Sequence, residues 1–252
     1  MTTFDRASRL ALLPDLLRER ILVLDGAMGT MLQAHKFTEA DFRGERFRDH
    51  PRDLRGNSDL LCLTQPAAVA AIHAAYLDAG ADILSTNSFT ATRIAQADYG
   101  FDPETVRDLN VAAARLARDA ADAAEAAEPG RPRFVAGSLG PTNRTASMSS
   151  DVGDPAARSV TWEELEIAYR ESAAGLLDGG ADILLIETIF DTLNAKAAIA
   201  AVQSLFDETG ERVPLVISGH FHETRARVVD GTLYLRIGTT GGSGAGRDRL
   251  AW

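Results

Sequence analysis

Apolar positions along this chain recur in two rhythms. Stretches 7–20, 66–79, 103–128, 161–178 and 191–209 place Leu, Ala and Ile at helical spacing among charges, which predicts amphipathic helices. Pro103 near the first turn and Gly130 beyond the end support the third of these. Between them lie short continuous apolar runs rich in β-branched residues: 21–24, 82–85, 133–136, 182–186 and 213–217. Such runs predict buried strands. One phrase occurs twice, as Ala79-Gly-Ala-Asp-Ile-Leu-Ser-Thr-Asn-Ser-Phe89 and as Gly179-Gly-Ala-Asp-Ile-Leu-Leu-Ile-Glu-Thr-Ile-Phe190. Each copy follows a predicted helix, so it reads as helix, Gly turn, buried strand and polar strand end. Repetition of that unit predicts an α/β fold of (β/α) barrel or layered type.

In such folds chemistry collects at the carboxyl ends of strands. Thr86, Asn87, Glu187 and Thr188 fall there, as do the glycine-punctuated turn Asp25-Gly-Ala-Met-Gly-Thr30 and the polar loop 137–145. Glu187 stands out because it interrupts the apolar run Leu184-Leu-Ile-Glu-Thr-Ile189, and a buried carboxylate is costly without a partner. The charged, aperiodic segment 36–59 is long for a loop in a compact domain, which marks it as functional or as a lid.

Composition narrows the setting. The 252 residues are 45% hydrophobic, enough for a large core, and the net charge of −10 disfavours nucleic acid and anionic membranes as partners. No run approaches the roughly 18 apolar residues of a membrane span, and residues 1–6 lack the order of a signal peptide. A single cysteine, Cys62, excludes an internal disulfide and suits a reducing cytoplasmic location.

Four long motifs point to a family: Arg20-Ile-Leu-Val-Leu-Asp-Gly-Ala-Met-Gly-Thr-Met31, Glu39-Ala-Asp-Phe-Arg-Gly-Glu-Arg46, Ala136-Gly-Ser-Leu-Gly-Pro-Thr-Asn-Arg-Thr-Ala146 and Ile186-Glu-Thr-Ile-Phe-Asp-Thr-Leu-Asn-Ala-Lys-Ala197. With the Asp82 repeat, they make residues 1–218 closely resemble the homocysteine-binding domain of cobalamin-dependent methionine synthase. The resemblance implies a (β/α)8 TIM barrel that methylates the homocysteine sulfur, with cobalamin and the methyl donor held on other domains. It also implies that Asp25 and Glu187 accept hydrogen bonds from the substrate ammonium, while amides around Gly26 and Ala27 meet its carboxylate. Thr86 and Asn87 are placed to line the same mouth. For each residue a bland reading stays open: turn chemistry for Asp25, a structural ion pair for Glu187, bonds between strand ends for Thr86 and Asn87.

The resemblance also implies zinc on three cysteines, because a thiol must be deprotonated to act as a nucleophile and zinc does this outright. No cysteine follows Cys62, so that site is expected to be missing. From Gly219 the pattern changes: residues 226–237 alternate around Asp230-Gly231, a strong hairpin signal, and a glycine run at 238–246 reads as flexible coil. The expected fold is therefore an incomplete barrel of about five βα units over 1–218 with an unrelated hairpin and tail at 219–252. Gly219-His-Phe-His222 resembles the last metal motif of calcineurin-like metallophosphoesterases, which makes His220 and His222 weak candidate metal ligands. Three functions follow: an impaired homocysteine S-methyltransferase module, a non-catalytic binding or inert fragment, and a metal-dependent phosphoesterase.

Overall fold

The computed structural model describes residues 4–219 and the backbone of strands 225–229 and 232–236. Its helices are α1 (Arg6–Glu19), α2 (Met28–Ala34), α3 (Glu39–Arg43), α4 (Leu61–Thr64), α5 (Pro66–Asp78), α6 (Arg93–Gln96), α7 (Pro103–Ala127), α8 (Trp162–Asp178) and α9 (Thr192–Thr209). The strands are β1 (Ile83–Ser85), β2 (Phe134–Leu139), β3 (Ile183–Ile189), β4 (Leu215–Gly219), β5 (Arg225–Val229) and β6 (Thr232–Arg236). Strands β1 to β4 form one parallel sheet in sequence order. The chain is thus an α/β protein built on a four-stranded parallel sheet.

Period-two alternation buries both faces of this sheet. Val135, Leu139, Leu184 and Ile186 join Leu84 against α7, α8 and α9, through Ala117, Leu165, Leu176 and Val202. The other face presents Phe134, Ala136, Ile183 and Leu185, and Leu13 of α1 packs on it. Side-chain oxygens that accept a following amide start the helices where expected. Asp102 caps α7 in this way, and Thr161 with Glu164 makes a capping box on α8.

The two copies of the repeated phrase form the same local structure. Gly80 and Gly180 adopt φ +105° and +106°, a left-handed turn that a side chain would strain. Asp82 and Asp182 then sit at the amino ends of β1 and β3 and bind the neighbouring extended segment twice. The amide of Asp82 donates to the Val23 carbonyl at 2.8 Å while its carboxylate accepts from the Val23 amide at 3.0 Å. Asp182 does the same with Val135, at 2.8 and 2.9 Å. Arginines close each staple: Arg20 and Arg131 on Asp82, Arg9 and Arg118 on Asp182. Burial alone would raise the Asp82 carboxyl, but hydrogen bonds from Arg20, the Val23 amide and Arg131 pull it down to about 2.

Two expectations need correction. Residues 21–24 do not form a fifth buried strand. Only Leu24 bridges to Ile83, in parallel, and Ile21 and Val23 remain 67% and 52% exposed. The run lies along β1: Ile21, Val23 and Leu24 are exposed, and Leu22 packs in part on the core face with Phe134. Segment 36–59 is also not all loop. It holds α3, capped by a reciprocal Thr38–Asp41 box, and a 3-10 turn at Ser58–Leu60.

The hairpin is present: β5 and β6 pair antiparallel, with Val229 opposite Thr232, and β6 runs close to β4. The glycine run 238–246 lies outside the described residues. Among the described residues no single helix is long and apolar enough to cross a membrane.

Candidate active site

At the carboxyl ends of the strands the treatment of acids reverses. Asp25 follows the Leu24 bridge, and its amide donates to the Ile83 carbonyl at 2.9 Å. Its Oδ1 accepts from the Ser85 amide at 2.9 Å and the Ser85 hydroxyl at 2.7 Å. Its Oδ2 is buried and meets no donor among the described residues. Burial raises the Asp25 carboxyl to about 6 despite the Ser85 bonds, and the negative charge of nearby Glu187 pushes the same way.

Glu187 lies near the end of β3 and takes a short hydrogen bond on Oε1 from the Ser138 hydroxyl of β2. Burial raises its carboxyl above the usual range, opposed by that one bond. The next residue, Thr188, has φ +59°, an outlier for a β-branched side chain. The β3–β4 register shifts at this point, between Glu187 and Ile189. The strand is therefore irregular immediately after Glu187. The amino ends of the strands carry acids answered by arginines, whereas Asp25 and Glu187 are answered only by serines and an amide.

The remaining expected site residues are placed as follows. Gly26 and Ala27 are exposed beside Asp25, and their amides donate to no other described residue. Thr86 is 4% exposed: its hydroxyl accepts from the Ser138 amide at 2.9 Å and bonds the Ser88 hydroxyl. Asn87 is also buried, and its Nδ2 donates to the Ser58 carbonyl at 2.8 Å. Both side chains thus have partners within the protein. His220 and His222 lie outside the described residues. Asn143 and Arg144, in the loop after β2, reach Asp98.

Sequence reasoning did not single out Ser85 and Ser138. Their one visible signal was a hydroxyl at a strand's polar end. Asp191 and Asn194 have a structural role: they hold the loop at Ala146 and Ser147 by bonds of 2.9 to 3.1 Å.

Set beside known proteins, this fold has clear relatives. Residues 22–237 match the model of the homocysteine S-methyltransferase family, which extends beyond Ser218. The chain belongs to that family. It is similar to the metallated form of the homocysteine methyltransferase MmuM from Escherichia coli, at 27% identity and a TM-score of 0.60 over 82% of this chain and 65% of that one. The oxidized form of the same protein gives 28% identity and a TM-score of 0.61, covering 82% and 64%. This chain therefore spans slightly less than two thirds of the length of the proteins it matches.

A three-cysteine zinc site does not fit the residues present. The sequence holds one cysteine. Cys62 is buried, donates to the Asn87 carbonyl at 3.4 Å, and is pushed well above the ordinary thiol range by burial. A buried thiol of this kind behaves as inert core. Among the described residues no group of three or more His, Cys, Asp or Glu is arranged to hold a metal.

Proposed function

We propose that this chain is the homocysteine-binding part of a homocysteine S-methyltransferase of the methionine synthase type, and that it does not complete methyl transfer by itself. One observation carries the reading: Asp25, after the Leu24 bridge, and Glu187, on β3, are half-buried acids close enough to repel, with no cation on either among the described residues. A buried carboxylate without a cation is costly, and the ammonium of an amino acid supplies the missing charge. The Gly26 and Ala27 amides, exposed next to Asp25, serve the substrate carboxylate in the same pose. In this reading the parallel sheet is the first part of an incomplete (β/α)8 barrel, and the methyl donor sits on a separate cobalamin-bearing domain. With one cysteine in the sequence, and that one buried, the chain cannot build a three-cysteine zinc site to deprotonate the substrate thiol. That fits a binding module within a reducing, cytoplasmic setting.

Calorimetry with L-homocysteine tests this. The wild-type chain is expected to bind it, and Glu187→Ala and Asp25→Ala are each expected to lose roughly 100-fold in affinity with unchanged circular dichroism. Incubation with methylcobalamin is expected to give no methionine. Stoichiometric methyl transfer by the purified chain would refute the impairment, and equal affinity in both variants would refute the site.

A further inference from the structure

Each of the two unpaired acids has one oxygen occupied by a serine from the adjacent strand. Ser85 reaches Asp25 Oδ1 with both its amide and its hydroxyl. Ser138 reaches Glu187 Oε1 with its hydroxyl alone.

Ser138 has little freedom to do otherwise. It is 1% exposed, its amide donates to the Thr86 hydroxyl at 2.9 Å, and its carbonyl accepts from the Ser88 hydroxyl at 2.9 Å. The Thr86 and Ser88 hydroxyls are bonded to each other at 2.7 Å. These bonds hold the Ser138 backbone in place, and its hydroxyl donates to Glu187. What remains is one oxygen of each acid, Asp25 Oδ2 and Glu187 Oε2, with no hydrogen bond from a described residue.

We propose that Ser85 and Ser138 are positioning residues that make the site selective for a charged primary ammonium, by fixing one oxygen of each acid and turning the other toward a shared cation. The identity of the ligand rests on the homocysteine reading above, whereas the hold of serine on acid does not. A hydroxyl donating to a carboxylate favours its charged form, and only the charged form repays burial by pairing with an ammonium. Ser85→Ala keeps the amide bond to Asp25, so it is the milder change, and Ser138→Ala removes the only bond described at Glu187.

Two measurements on the full chain test this. The first compares calorimetric affinities for L-homocysteine and for 4-sulfanylbutanoate, the same molecule without its amino group. Wild type is expected to prefer homocysteine by at least about 100-fold, since the analogue leaves both acids unpaired. Ser138→Ala should lower homocysteine affinity roughly 10- to 100-fold and leave the analogue unchanged, with a smaller loss in Ser85→Ala and recovery in Ser138→Thr. Equal weakening of both ligands would show a merely structural serine and overturn the proposal.

The second measurement needs no ligand: carbon-detected NMR titration of the Glu187 carboxyl. Its midpoint should rise in Ser138→Ala and return in Ser138→Thr, and an unmoved midpoint overturns the proposal. A midpoint that moves in a protein binding neither compound would sink the homocysteine reading and leave the positioning role standing. If Ser138→Ala does not fold, the same pair of measurements on Asp25 in Ser85→Ala decides.

Discussion

Single residues carry the functional argument, and Thr188 is the most exposed to test. A β-branched residue at φ +59° is held there against its own preference, at a cost on the order of 1–2 kcal/mol. Glycine adopts that conformation freely, though it also gains entropy in the unfolded chain. Thr188→Gly is therefore expected to stabilise the protein by about 0.5–1 kcal/mol in thermal melts, while homocysteine affinity falls several-fold because Glu187 is no longer held in place. A lower melting temperature would mean that the Thr188 side chain contributes contacts worth more than its strain. The sequence showed Glu187 as an anomaly, because a carboxylate inside an apolar run announces itself. It could not show the strain one residue later. Nor could it show Ser138, which stands 49 residues before Glu187 and acquires its role only when β2 and β3 align.

Between elements, the repeated aspartates act as staples of unequal strength. Asp182 is fully buried, and the arginines on it, Arg9 and Arg118, have side chains only 6% and 9% exposed. Removing the carboxylate would leave both near Glu125 but strand the Val135 amide, so Asp182→Ala is expected to cost about 3–5 kcal/mol in denaturant unfolding. Asp82→Ala should cost less, since Arg20 and Arg131 are 40% and 37% exposed and can turn to water, while the buried Arg133, 3.7 Å from Asp82, keeps its pairing with Glu128. Equal losses would show that burial of the arginines is not what matters. The long helices were legible because their apolar period survives over several turns: stretches 66–79, 161–178 and 191–209 correspond to α5, α8 and α9 within a residue or so. Helix α3 was not, because five residues give no period to read and only its Thr38–Asp41 cap marks it.

At the scale of the whole molecule, no described strand lies beyond residues 21–24 at the β1 side of the sheet. An apolar run such as 21–24 cannot tell a reader whether a partner lies beyond it, and here Ile21 and Val23 face solvent. Exposed edges of this kind invite pairing with other chains, and a charge on the edge suppresses it. Val23→Lys is expected to raise the monomeric fraction in sedimentation velocity, without changing homocysteine affinity. A wild-type protein that is already monodisperse and melts cooperatively would contradict this.

The two ends of the sheet also part company in acid. Asp25 takes up a proton near 6, and Asp82 only near 2. A carboxyl raised by folding adds stability below its unfolded range and loses it as pH climbs through 6. A depressed one adds stability above about 4 that is lost as pH falls toward 2. On mild acidification homocysteine affinity should therefore drop, by about tenfold per unit below 6, while circular dichroism holds steady. Between those limits the protein would be intact and blind to its amino acid, so a mildly acidic wash should release homocysteine from immobilised protein and leave the protein reusable.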